Sequence, residues 1–109
     1  LKNFNFSFDI ILLLSVIEHL KDPISFFLLL KNLLKKGGKI IIYAPAPKAK
    51  KILFLLSKLG ILSKVAEEEH KNLFEPNYLI EKLEEKDFKF LKKKNFFFGL
   101  SYLLIFYKE

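Results

Sequence analysis

There is no cysteine in these 109 residues. That excludes a disulfide framework, a thiol nucleophile and a thiolate metal site. There is no arginine either, so all 19 basic residues are lysines and the formal charge of +7 rests on them. Phosphate and guanine recognition favour the planar guanidinium fork, which lysine does not offer. The charge therefore argues only weakly for nucleic acid, which is a disfavoured partner. A composition rich in Lys, Asn, Ile and Phe without Arg is also what AT-rich coding produces. No methionine occurs and the chain begins at Leu1. A complete translation product begins with Met, so the expectation is a piece of a longer protein. No apolar run reaches the roughly 20 residues that span a bilayer. Residues 10–17 are too few and end at Glu18-His19, and residues 96–107 are of strand length with Gly99 and Ser101 inside. The beginning lacks the basic-then-apolar order of a signal peptide. A cytoplasmic location is expected.

What is present is apolar: 51% of the residues are hydrophobic, enough for one small domain with a core. Residues 8–45 read FDIILLLSVIEHLKDPISFFLLLKNLLKKGGKIIIYAP and organise the rest. The run after Asp9 is apolar without alternation, as in a parallel strand covered on both faces. Asp22-Pro23 starts a helix, with Asp accepting from free amides and Pro at the first helical position. Phe26, Phe27, Leu30, Leu33 and Leu34 follow at helical spacing. Lys35 and Lys36 suit a helix carboxyl end, and Gly37 suits a left-handed cap. Residues 39–43 form a second strand. A strand, a crossover helix and a strand make a right-handed parallel unit.

Beyond it, Pro45 and Pro47 take the chain out of the sheet. Residues 48–65 are expected to be a Lys-rich helix broken near Gly60. An acidic loop over 66–74 carries His70. Pro76 opens a helix with Leu79, Ile80 and Leu83 inward and Glu81, Lys82, Glu84 and Glu85 outward. Residues 88–94 and 97–107 read as two strands joined near Asn95, and so short a link requires them to be antiparallel.

The order of these pieces resembles the carboxyl-terminal half of the class I S-adenosylmethionine-dependent methyltransferases. FDIILLLSVIEHLKDP is similar to the fourth strand and following loop of the subgroup acting on small molecules, quinone precursors and sugars. LLKKGGKIIIYAP resembles that subgroup's helix end and fifth strand. His70-Lys71-Asn72-Leu73-Phe74-Glu75-Pro76 resembles its His-x-x-x-Phe segment, and the closing strand pair its sixth and seventh strands. The resemblance implies an α/β fold, a partial Rossmann-like sheet with parallel strands 4 and 5, an antiparallel closing pair and flanking helices. Residues 1–109 would be one carboxyl-terminal portion. The family's Gly-rich loop and ribose-binding acid precede it, and Gly37, Gly38, Gly60 and Gly99 form no such loop.

Several functional expectations follow from the resemblance. The cofactor is S-adenosylmethionine, and the intact protein transfers its methyl group to a small-molecule acceptor. The chain alone is expected to be inactive and to need the missing amino-terminal half or a partner chain. Ser15, Val16 and Ile17 lie in the turn that borders the cofactor. His19 and His70 are the candidate catalytic bases, since imidazole titrates near neutrality. Glu18-His19 resembles a metal pair of some relatives, but Ser15 stands where those have an acid, and two ligands are too few. Asp87 stands where relatives commonly have Gly, so the helix exit must either differ or strain slightly. Without a neighbouring strand, residues 8–14 become an exposed apolar edge.

Two other readings compete. One is a non-catalytic remnant or partner domain that pairs through its open strand edge. The other is a basic surface-binding module. Residues 48–62 combine Ile52, Leu53, Leu55, Leu56 and Leu59 with Lys48, Lys50, Lys51 and Lys58. They suit a cover helix over the active-site mouth, or peripheral contact with a membrane or apolar substrate.

Overall fold

The computed structural model describes residues 7–60 and 73–109. Four strands form one mixed sheet: β1 (Phe8–Leu14), β2 (Leu34–Pro45), β3 (Phe88–Phe96) and β4 (Ser101–Lys108), in the spatial order β1-β2-β4-β3. β1 and β2 are parallel, with Leu12 opposite Ile41 and Leu13 opposite Ile42. β4 runs antiparallel to both β2 and β3. Among the described residues three helices connect them: α1 (Pro23–Leu33), α2 (Pro47–Lys58) and α3 (Pro76–Glu85). The expected α/β architecture is therefore present, with its parallel unit and antiparallel closing pair.

The core lies on one face of the sheet. Phe27, Leu30 and Leu33 of α1 and Leu79 and Leu83 of α3 bury against Ile40, Ile42, Leu104, Phe106 and Phe88. These sheet residues fall on one side because alternate residues of a strand share a face. The opposite face carries Ile10, Leu12, Leu14, Ile41, Tyr43, Leu103 and Ile105. Ile41, Tyr43, Leu103 and Ile105 are half-buried, whereas Leu12 and Leu14 remain 57% and 58% exposed. Coverage of β1 on both faces is thus not observed among the described residues. Leu13 is buried, while Ile10, Leu12 and Leu14 are not. The expected apolar edge is observed: β1 pairs with β2 alone among the described strands.

α1 starts where the sequence requires. The Asp22 carboxylate accepts from the Ser25 amide at 3.3 Å and from its hydroxyl, which holds the carboxyl below its usual range. Its end differs from expectation. The helix stops at Leu33, and Leu34 already has strand geometry and a buried side chain. Lys35 and Lys36 therefore do not lie in its last turn. The terminal carbonyls instead receive the Lys108 ammonium, at 2.8 Å from Lys31 O and 3.0 Å from Leu34 O. A cation held there complements the negative end of the helix. Residues 35–38 bulge from the ladder, since Phe8 faces Leu34 but Ile10 faces Lys39. Gly38 makes this possible: a Cβ there would lie 2.8 Å from Lys35 O and 3.2 Å from Asp9 O.

The α3 exit is strained as expected, with Asp87 at φ 67°. The β3–β4 link is not near Asn95, which is still inside β3. It is the loop 97–100, where Phe97, Phe98 and Gly99 have φ of 51°, 58° and 83°. Gly99 N donates to Phe96 O and Leu100 N to Phe97 O, both at 3.1 Å. Left-handed geometry costs a non-Gly residue about 1–2 kcal/mol, so the Phe-Phe pair here is unfavourable for folding alone. α2 ends at Lys58 and the chain turns at Gly60, with φ 74°, so the helix breaks where expected; residues 61–65 lie outside the described residues.

Candidate functional site

The carboxyl ends of β1 and β2 place the expected site residues. The chain leaves β1 at Ser15, an exposed residue with φ 58°, whose amide donates to Tyr43 O at 2.8 Å. That bond ties the turn to β2. Val16 is half-buried, and Ile17 is fully buried in the core. A short 3-10 turn, Ile17–His19, then leads towards α1. Within it Glu18 and His19 diverge. His19 is exposed, whereas Glu18 is only 3% exposed. His70 lies outside the described residues. Ser15, Val16, Ile17 and His19 are thus gathered in one turn, with only Ser15 and His19 fully on the surface.

The direction Glu18 takes was not legible in the sequence. It lies close enough to Tyr102 of β4 for its charge to act on the phenol. Burial pushes the Tyr102 phenol above its usual value, and the Glu18 and Glu75 charges push the same way. The hydroxyl donates to Phe74 O at 2.7 Å. Glu18 Oε1 is buried with no hydrogen-bond partner among the described residues. Beside Tyr102 a cleft of about 200 Å³ is lined by Ala46, Lys48, Glu75, Asn95 and Gly99 among others. Among the described residues no three acidic or imidazole groups converge on a metal position.

Tyr102 gives a testable pH dependence. Its folded-state pKa is raised above the ordinary 10.0, so the folded protein holds the proton more tightly than the unfolded chain. That contribution is complete below pH about 10 and is lost as the pH rises towards the folded-state value. Thermal unfolding of the unaltered protein is expected to weaken more steeply above pH 10 than that of Tyr102→Phe. At neutral pH the variant loses about 1 kcal/mol with its hydrogen bond. Parallel alkaline profiles for the two proteins would refute this account.

The arrangement has counterparts among known proteins. The methyltransferase domain family matches by its sequence profile over residues 2–93. The chain belongs to this methyltransferase-domain family. The resemblance read from residues 8–45 and from the segments after them is thereby borne out. Solved structures share the fold. The magnesium protoporphyrin IX methyltransferase of Synechocystis PCC 6803, solved with bound SAH, is 15% identical with a TM-score of 0.66; the match covers 98% of this chain and 47% of that one. A protein of Pyrococcus horikoshii OT3 is 19% identical with a TM-score of 0.68, covering 98% and 57%. A SAM-dependent methyltransferase of Thermotoga maritima is 16% identical with a TM-score of 0.68, covering 99% and 61%. The chain thus spans about half to three-fifths of these structures. Among curated protein sequences none matches it significantly.

Proposed function

We propose that these residues form the acceptor-side half of an S-adenosylmethionine-dependent methyltransferase that acts on a small-molecule acceptor. The observation that carries this reading is the turn at the carboxyl end of β1, in a chain whose family match covers most of its length. In open α/β sheets ligands bind at the carboxyl ends of the strands. The fit to the cofactor is one-sided. Ser15 and Val16 would border it, Ile17 anchors the turn in the core, and the unpartnered Glu18 Oε1 offers an acceptor. No Gly-rich loop is available: Gly37 and Gly38 serve the β2 bulge and Gly99 the β3–β4 loop.

When bound, the cofactor supplies an already activated methyl group, so alignment does most of the remaining work. His19 then has the role of taking a proton from an acceptor that must lose one, with His70 as the second candidate. The cleft beside Tyr102 is the proposed acceptor side. The missing half is proposed to cover Ile10, Leu12 and Leu14 and to pair with β1, so the chain alone is inactive. The same open edge favours a second reading, a non-catalytic partner domain.

An NMR titration of the chain with S-adenosylhomocysteine separates the two. The expected result is weak binding, about a hundredfold or more below that of a complete methyltransferase, with amide shifts centred on Ser15, Val16 and Glu18. Micromolar affinity would overturn the claim that the chain is incompetent alone. Saturating ligand without shifts in that turn would favour the non-catalytic reading.

A further inference from the structure

The β3–β4 loop breaks two local rules at once. It sets two phenylalanines in left-handed geometry, and it leaves Phe97 70% and Phe98 97% exposed. Turns of this kind favour Asn and Gly. Neither ring has a place in the core, so folding does not account for them. The loop touches the beginning of α2. Ala46 N donates to Leu100 O at 2.8 Å, and a methyl on Gly99 would sit 3.2 Å from Lys48 Nζ.

α2 starts beside this loop and carries an apolar stripe of its own. Ile52, Leu55 and Leu59 lie within about 60° of one another around the helix, and all three are exposed. Leu59 extends the helical ladder by donating to Leu55 O at 3.1 Å. Lys51 and Lys58 are exposed on one flank of this stripe, within about 100° of its centre, and the Lys58 ammonium lies 4.7 Å from the Phe54 ring centre. On the other flank of the loop Lys92, Lys93 and Lys94 are exposed along β3. β3 is the sheet edge opposite β1, so this surface is separate from the open β1 edge.

We propose that the loop 97–100 and α2 form a docking surface for an anionic lipid bilayer. Apolar side chains flanked by lysines match an interface in which rings and aliphatic groups enter the acyl boundary while ammonium groups stay among anionic headgroups. The charge of the chain, +7 and all from lysine, has the complementary sign. Nucleic acid is the poorer match: aromatic rings stack on bases, but an aliphatic stripe has no role there. Because Lys48 and Gly99 also line the cleft, the docking surface borders it.

The sequence contains no tryptophan, so Phe98→Trp introduces a single reporter. Its emission is expected to shift to the blue with phosphatidylserine-containing phosphatidylcholine vesicles, and much less with phosphatidylcholine alone. Co-sedimentation of the Phe97→Ser/Phe98→Ser variant should fall at least about tenfold, with an unchanged unfolding temperature because the rings are outside the core. Lys51→Glu/Lys58→Glu should sharply reduce the preference for anionic vesicles. The proposal is overturned by equal binding to both vesicle types, or by vesicle binding that the serine variant leaves unchanged. It is also overturned if the lost activity is binding to single-stranded DNA, or self-association without vesicle binding.

Discussion

Phe27→Ala is expected to remove about 3–5 kcal/mol of folding stability, the loss typical of a fully buried phenylalanine. Small domains hold only about 5–15 kcal/mol in total, and among the described residues this one fully buries a single face of its sheet. Phe27 has no exposed surface and sits in the layer that α1 makes with β2 and α3. The ring also packs against Phe26, with centroids 6.4 Å apart. The cavity left by alanine cannot be filled from solvent-side residues, because α1 turns Leu28 and Leu29 outwards. Urea unfolding followed by circular dichroism checks the value. Leu29→Ala is the control and should cost well under half as much. Equal losses for the two variants would contradict a core confined to this face.

Much of this fold was legible in residues 8–45, for local reasons. Asp22-Pro23 carries its own start chemistry, and Phe27, Leu30 and Leu33 their own period. Where the reading slipped, the deciding contact came from far along the chain. Leu34 fits the apolar pattern of either a helix or a strand. Its strand state follows from pairing with Phe8 and from the Lys108 ammonium on the helix carbonyls. Asn95 attracts a turn reading, yet it stays in β3. The end of that strand is held by contacts between strands: the Tyr43 hydroxyl donates to Ser101 Oγ at 2.9 Å, and the Tyr43 and Phe96 rings meet edge-on at 5.9 Å.

The site was legible as a place but not as a set of side chains. The Ser15 to His19 turn could be found because it follows an apolar strand. That Glu18 points in and His19 out depends on how tightly Ile17 is buried, which sequence spacing does not specify. Tyr102 was missed, although a signal existed. Tyr102, Leu104 and Phe106 share one strand face, and a buried phenol needs a hydrogen-bond partner. Its acceptor, Phe74 O, lies in the segment before α3, which no sequence rule joins to β4.

Leu12→Lys/Leu14→Lys should behave in the opposite way to Phe27→Ala. Both leucines are more than half exposed, so the folded chain loses little by their replacement. What they supply is apolar surface for another body. A buried leucine contributes about 1.5–3 kcal/mol, so two charged replacements should weaken association through β1 by roughly a hundredfold or more. The unaltered chain is expected to self-associate as its concentration rises, because a long apolar edge is a template for pairing. Charges on such an edge are the usual protection. Sedimentation velocity across a concentration series makes the comparison, with the variant remaining monomeric where the unaltered chain does not. Association that persists in the variant would move the contact away from β1, towards the surface of α2 and the loop 97–100. Unfolding of the variant would mean that Leu12 and Leu14 support the chain's own fold. Retained stability with lost association would leave β1 as the seam at which the proposed methyltransferase is completed.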